Sequence, residues 1–476
     1  MSRGRFIADW RRARLTVDER VARGKAARDA VPRATYGAWQ PDADRPDPVA
    51  LLEEQAEHRV PELVPIRYGR MLVSPFTFFR GAALIMASDL ASTPRSNFTV
   101  QLCGDAHMSN FGLFASPERR LVFDINDFDE TLPGPWEWDV KRLAASFEVC
   151  GRDRAFAEAD RRAITTAAVR EYRKTMRQAA KMGSLEAWYD HLEVGALLEA
   201  VEAELRPKEA RAAQRDIATA RTRDSVRVLT KRVDNVDGDL RIRAEPPLIV
   251  PLEDLAASDI PDWEVFEPTI KKLLASYVKT LSHHHHPLEE FRYVHAARKV
   301  VGVGSVGTRC YILLLVGRDN DDPLILQVKE AGPSVLERFL GPSEYENHGE
   351  RVVAGQRLMQ SASDIFLGWQ RIKGVADGVP RDYYLRQLHD WKGSFDSERL
   401  GVAGITLYAR LCGATLARAH ARWGDRIAIA WYLGKGDGFD DAVADFASAY
   451  ADQNEADYEA FVAATSSGRL PIEAGL

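Results

Sequence analysis

The chain has 476 residues, 45% of them apolar and 28% charged, enough for more than one domain around a large core. A net charge of −6 argues against a general nucleic-acid binder, and no apolar run approaches the roughly 20 residues of a membrane span. Cys103, Cys150, Cys310 and Cys412 are scattered and form no CxxC pair, so neither a disulfide framework nor a zinc site is indicated. With no apolar leader in "MSRGRFIADWRRARLT", the expected compartment is reducing and cytoplasmic.

Residues 1–60 are charged and interrupted by prolines, and they read as a peripheral arm with helical spacing only at 49–59. "RYGRMLVSPFTFFRGAALIMASDLAS" (67–92) is apolar, with a helix from about Phe76. Residues 97–130 read as short strands, "NFTVQLCGD", "NFGLFAS" and "LVFDIN", with a turn at "SPERR". "WEWDVKRLAASFEVCGRD" is a helix, and 154–232 has the periodicity of several long helices, read as a helical insert. The four histidines of "SHHHHP" (282–287) are read as an exposed loop, because no helix could aim all four at one ion. A helix at 262–281 leads to a β-rich stretch at 299–331. Then come a helix at 344–362, a strand at "YYLRQLHD" and helices at 402–423 and 439–464. The expected divisions are the arm 1–60, a helical part 61–240 with catalytic loop and metal-binding segment, a β-rich nucleotide-binding lobe 241–400, and C-terminal helices 401–476 that return to the helical part.

Two stretches carry chemistry. In "GVGSVGT", Gly302, Gly304 and Gly307, with Ser305 among them, let backbone N–H groups approach a phosphate. A dinucleotide fingerprint would need a helix directly after these glycines, and here an apolar strand follows. A strand after the glycines and a lysine on the strand after that is the arrangement of a kinase glycine loop, and Lys329 in "LILQVKEA" is so placed. A plain β-hairpin with a glycine turn would carry the same letters. The second stretch is "GDAHMSN" followed by "DINDFDE". Phosphoryl transfer needs an aspartate that takes the hydroxyl proton and oxygen ligands that hold a metal at the phosphates. Asp105 is the candidate base and Asn110 a metal ligand. Asp127 is the candidate metal aspartate, with Asp124 an equal fit by residue count. On the helix after the lysine strand, Glu350 is the candidate partner of Lys329, with Glu346 in reserve.

"GDAHMSN…DINDFDE…WEWDVKRLA" resembles the catalytic segment of the aminoglycoside phosphotransferase branch of the protein-kinase-like fold, with Cys103 in place of the leading histidine. The resemblance assigns His107 to the catalytic loop and gives Asp139 the role of bracing it. Most of the chain, including "SPFTFFRGAA", "VVGVGSVGTR" and "YYLRQLHDWKGS", is similar to the uncharacterised bacterial family called domain of unknown function 2252. In kinases the glycine loop and lysine come before the catalytic loop, whereas here they come after. Taken from 299 to 425 and then from 97 to 150, the elements fall in kinase order, with 407–425 as the helix leading into the catalytic loop.

The expected fold is therefore α+β and two-lobed, protein-kinase-like with a circularly permuted element order. An exchange of glycine loops between two chains is the alternative. The expected activity is transfer from ATP with Mg²⁺ to the hydroxyl of an acceptor, a small molecule or a protein. Nucleotidyl transfer on the same fold, a silent nucleotide-binding module, and a metal-dependent hydrolase using His107 are the competing readings.

Overall fold

A computed structural model describes residues 15–195, 199, 202–203, 205–221, 233–236, 239–255, 270, 272–281, 285–374, 377–388 and 397–475. The architecture is α+β. Helices α1 (Val17–Ala30), α2 (Pro48–Ala56), α3 (Val64–Met71), α4 (Pro75–Gly81) and α5 (Ala83–Ala91) precede strands β1 (Thr99–Leu102), β2 (Phe111–Ala115), β3 (Leu121–Ile125) and β4 (Leu132–Pro135). Helices α6 (Trp136–Asp153), α7 (Glu158–Ala179), α8 (Ser184–Tyr189) and α9 (Pro207–Arg221) follow. Strands β5 (Val233–Val236), β6 (Asp239–Ile242), β7 (Ile249–Pro251), β8 (Arg292–Lys299), β9 (Cys310–Val316) and β10 (Pro323–Ala331) come next, then α10 (Glu337–Leu340) and α11 (His348–Met359). The chain finishes with β11 (Gly368–Lys373), β12 (Pro380–Gln387), α12 (Val402–Trp423), α13 (Arg426–Leu433) and α14 (Gly438–Ser466).

One antiparallel sheet has the order β11-β12-β10-β9-β8-β7. Side chains alternate across it with period two. Leu324, Leu326, Val328 and Leu385 enter one apolar cluster, and Ile312, Leu314 and Ile325 enter another on the opposite face. That second face continues to Gln327 and Lys329 on β10, whose register neighbours on β12 are Arg386 and Tyr384. The polar end of this face is what the sheet presents to the rest of the molecule.

The largest core is helical. Helix α6 is buried over nearly its whole length, with β1–β4 and helices α7, α12, α13 and α14 around it. Helix α7 crosses α12 so closely that a Cβ on Gly413 would lie 2.0 Å from the Ala168 carbonyl oxygen. Residues 158–179 are thus a wall of the core. The N-terminal segment is likewise integrated where it is described: Tyr36 is buried and donates to Glu137 Oε1 at 2.9 Å, and Arg45 bridges Asp89 and Asp457 at 2.6 Å each. The sequence under-read this segment because its contacts are made by single aromatic and arginine side chains and not by an apolar stripe.

Of the histidine run, His283 and His284 lie outside the described residues and His285 is exposed. His286 is not part of an exposed loop: it is buried, with Nε2 against Ile365 O at 3.0 Å and Nδ1 accepting from Leu288 N at 3.1 Å. Helix 262–281 is described only in its last part, which is helical from 272. All four cysteines are free and buried. Among the described residues no helix is long and apolar enough to cross a membrane.

Candidate functional site

A cavity of about 430 Å³ lies between the polar end of the sheet, the loop after β1 and helices α3 and α4. Asp105, His107, Asn110, Asp127, Gly302, Gly304, Ser305 and Lys329 all line it, although they come from stretches nearly 200 residues apart in the chain.

The loop 103–110 is held by its backbone. Gly104 has φ +83°, the left-handed region that glycine adopts freely, and a Cβ there would lie 2.2 Å from the Glu130 carbonyl oxygen. Asp139, in the first turn of α6, accepts from Cys103 N at 2.9 Å and Gly104 N at 3.1 Å, and His420 Nε2 of α12 lies 3.2 Å from it. Tyr408 of α12 donates to Met108 O at 2.8 Å, and Ser146 Oγ accepts from Met108 N at 3.0 Å. The loop therefore sits on two buried helices, which gives Asp105 a rigid support.

Asp105 Oδ1 accepts from Arg142 Nε at 2.9 Å, and His107 Nε2 lies 3.7 Å from Oδ2. Burial raises the Asp105 carboxyl above its usual range, against the pull of Arg142 and Arg80. Burial, with Arg80 and Arg142 nearby, keeps the His107 imidazole well below its usual range, so it stays neutral. Among the described residues its buried Nδ1 has no hydrogen-bond partner. Asn110 donates Nδ2 to Asp105 O at 2.8 Å, which leaves its side-chain oxygen as the atom available to a cation.

Beyond β3 the chain turns through Asp127 and Asp129. Lys329 Nζ, its side chain 4% exposed, bonds Asp129 and lies 3.8 Å from Asp127 Oδ2. Asp129 also accepts from Tyr384 OH at 2.8 Å and Ser305 Oγ at 3.1 Å. Despite burial, Lys329 and these hydrogen bonds hold the Asp129 carboxyl below its usual range. Burial and the Asp129 charge raise Asp127, and the two carboxylates hold the Lys329 ammonium well above its usual range despite its burial.

The glycine stretch is a turn between β8 and β9, with a 3-10 turn at Val303–Ser305. A Cβ on Gly302 would meet no atom within 4 Å, and on Gly304 only Arg80 O at 3.6 Å, so the backbone here borders open space. Gly307, with φ +92°, packs against Arg59 and accepts from Val60 N at 2.7 Å through its carbonyl. It shapes the turn from outside the cavity lining.

Three candidate side chains are not brought to the cavity. Asp124 alternates to the other face of β3, where Ser361 N and Oγ each donate to it at 2.9 Å, so it holds a chain crossing and not the cavity. Glu350 is outside the cavity, and its backbone N–H is capped by Asn347 Oδ1 at 3.0 Å. The reserve Glu346 is outside it too, its carbonyl accepting from Arg371 at 2.6 Å. Lys329 takes its carboxylate from Asp129 instead. Helix α11 contributes Arg351, which donates to Asp129 O at 2.8 Å, Thr131 O at 2.7 Å and Gly332 O at 2.9 Å.

The sequence reading also passed over Arg386, which donates to Gln327 Oε1 at 3.1 Å and Asn126 O at 2.9 Å, and the arginines of 59–80. Their signal was the density of arginine in "HRVPELVPIRYGRM…FFRG", a mostly apolar stretch that has little reason to bury cations. Among the described residues no group of three or more His, Cys, Asp or Glu side chains is arranged to hold a metal.

The chain belongs to the family described as an uncharacterized protein conserved in bacteria, DUF2252, whose model matches residues 59–464. No curated protein and no solved structure matches it.

Proposed function

We propose that this DUF2252 member is an ATP- and Mg²⁺-dependent phosphotransferase acting on a hydroxyl, with a two-lobed protein-kinase-like fold in circularly permuted order. One observation carries the reading: a single chain brings Asp105, Asn110 and Asp127 to the same cavity as the glycine turn and Lys329. The sheet supports it, since the glycine turn joins adjacent antiparallel strands and the lysine stands on the next. Helix α12 supports the permuted order, because it packs against β1 at the root of the catalytic loop: a Cβ on Gly424, just past its end, would lie 2.5 Å from a Val100 methyl.

The residues fit the nucleotide and ion. Gly302 and Gly304 leave room for phosphate against the backbone, and Lys329 supplies the charge. The Asn110 side-chain oxygen and Asp127 would hold Mg²⁺, which neutralises charge between the phosphates. Asp105, kept fixed by Arg142, would take the proton of the acceptor hydroxyl. The hydroxyl oxygen bonds the terminal phosphorus, and the bridging P–O bond breaks with its electron pair leaving on ADP. The raised carboxyl of Asp105 brings its basicity closer to that of a working general base.

Calorimetry with a non-hydrolysable ATP analogue and Mg²⁺ tests this. Wild type should bind, and Lys329→Met should lose about 1.5–3 kcal/mol of affinity, the worth of a charge-assisted contact. Equal affinity for the two proteins removes Lys329 from the site and the reading with it.

A further inference from the structure

The cavity carries seven cationic side chains against four acidic ones, more positive charge than Lys329 and the carboxylates explain. Four of the cations, Arg59, Arg67, Arg70 and Arg80, come from the stretch around α3 and α4 and not from the sheet or the loop 103–110. Two of these have evident structural work. Arg59 bonds Val306 O and, at 3.0 Å, Gly304 O, and Arg70 bonds Val301 O, so both grip the glycine turn by its carbonyls.

Arg67 and Arg80 are different. Arg67 is 0% exposed and its guanidinium lies 6.0 Å from the Tyr68 ring centre, yet among the described residues only its Nη2 makes hydrogen bonds, to Gln55 Oε1 and Gly81 O at 2.9 Å each. Among the described residues its Nε and Nη1, both buried, have no hydrogen-bond partner, and no carboxylate pairs with it. Arg80 has a buried, unpartnered Nε and lies near enough to Asp105 and His107 for its charge to act on both. A buried guanidinium with open N–H groups and no counter-charge is costly, and an arriving anion would repay it.

We propose that Arg67 and Arg80 form a subsite for the phosphate of the second substrate, so that the acceptor is a phosphomonoester. This rests on the phosphotransferase reading for the word acceptor, but not for the anion itself. The assignment to acceptor and not nucleotide follows from position. Lys329 and the glycine turn, which face the nucleotide's phosphates in that reading, belong to the sheet wall. Arg80 belongs to the helical wall beside Asp105, where the reacting hydroxyl must lie. A cationic wall there also disfavours amine-rich acceptors of the aminoglycoside kind.

Calorimetry with inorganic phosphate and with glycerol 3-phosphate as probes provides the test, each run with and without a saturating ATP analogue and Mg²⁺. Wild type should bind both probes, and binding should persist with the analogue present. Arg67→Met and Arg80→Met should each weaken it at least tenfold, the loss of a charge-assisted contact. Arg67→Met should also leave the thermal midpoint of the ligand-free protein unchanged or raised, because it removes an uncompensated buried charge. If Arg67→Met does not fold, Arg80→Met carries the comparison, its guanidinium making no hydrogen bond among the described residues. Absence of phosphate binding, or unchanged affinity in both variants, overturns the proposal. Displacement of phosphate by the analogue also overturns it, because the arginines then serve the nucleotide. Failure of the analogue to bind, with phosphate binding still dependent on Arg80, sinks the kinase reading and leaves the anion subsite standing.

Discussion

Lys329→Met should destabilise the protein by an amount that grows with pH. The ammonium is nearly buried and faces Asp129 and, at 3.8 Å, Asp127, whose side chains are 27% and 32% exposed. Breaking a buried ion pair by removing one partner costs about 3–5 kcal/mol. The carboxylates' partial access to water reduces that to about 2–3 kcal/mol at pH 8. In the wild type the Asp129 carboxyl is held below its usual range, so its contribution is full above the unfolded value of about 3.9 and is lost only as pH falls through the lower folded value. The Lys329 ammonium is held up, so its contribution is full below about 10.4 and constant across the neutral range. In the variant two carboxylates face each other without the cation, and the pair's folded value rises above 3.9. Such a pair is most stable protonated and loses stability as pH rises through that folded value. The gap between the proteins should therefore be about 1 kcal/mol at pH 5 and about 2–3 kcal/mol at pH 8. In scanning calorimetry that is roughly 2 °C and roughly 4–6 °C in the first thermal midpoint. An equal gap at both pH values would refute the electrostatic account of this centre.

Asp105→Asn should fold and bind the ATP analogue but turn over about 10²–10⁴-fold more slowly, measured as ATP hydrolysis until an acceptor is in hand; unchanged turnover removes Asp105 as base. Asp127→Asn should shift the Mg²⁺ dependence of analogue binding. Asp124→Asn should leave that dependence alone and cost on the order of 1 kcal/mol through its lost bonds to Ser361, so the opposite pattern reverses the assignment. If each chain builds its own site, a mixture of Asp105→Asn and Lys329→Met chains should stay at the mutant level; recovery toward half of wild type would mean that sites are shared between chains.

The long periodic helices were legible, and α12 spans the predicted 402–423. So were β9 and β10, because their apolar runs are bounded by glycine and by "GRDNDDP". Strand β8 was not read before Lys299, since "RYVHAARK" mixes charge on its outer positions with alanine inside and presents no apolar run. Strand β11, "GWQRIK", is an edge strand and carries the polar residues that edges carry. Of the cavity lining, Asp105, Asn110, Asp127, Lys329, Gly302 and Gly304 were legible as residue types, because their chemistry is local and compact, whereas Gly307 lies outside it. The partner of Lys329 was missed because the pairing is tertiary. A glutamate on α11 and an aspartate after β3 are equally available to a reader of letters, and only the fold brings Asp129 to the lysine while sending Glu350 outside the cavity.

The proposed permutation also explains where the arginine wall comes from. The contacts that make loop 103–110 and α12 one unit are Tyr408 on Met108 O, and His420 on Asp139, which in turn holds the Cys103 and Gly104 N–H groups. Packing and electrostatics act between neighbours in space, so these contacts are indifferent to the 300 residues of chain between the two parts. Chain order matters for what it attaches at the ends. After α12 the chain continues into α13 and α14 instead of into the catalytic loop. The segment before β1 folds back onto these helices: α1 packs on α13, with a Cβ on Gly24 only 2.3 Å from Ala428 O. Arg45 ties Asp89 to Asp457, and Arg469 meets Glu53 at 2.7 Å. Tyr68 of α3 and Phe78 of α4 pack on Phe461 of α14, and this segment brings Arg67 and Arg80 to the cavity and Arg59 and Arg70 to the glycine turn. The cationic wall is thus built by the segment that precedes β1 in the chain. A buried, half-satisfied arginine is held there by Gln55 and the Gly81 carbonyl, and in the proposed subsite an anion would supply what the protein leaves open.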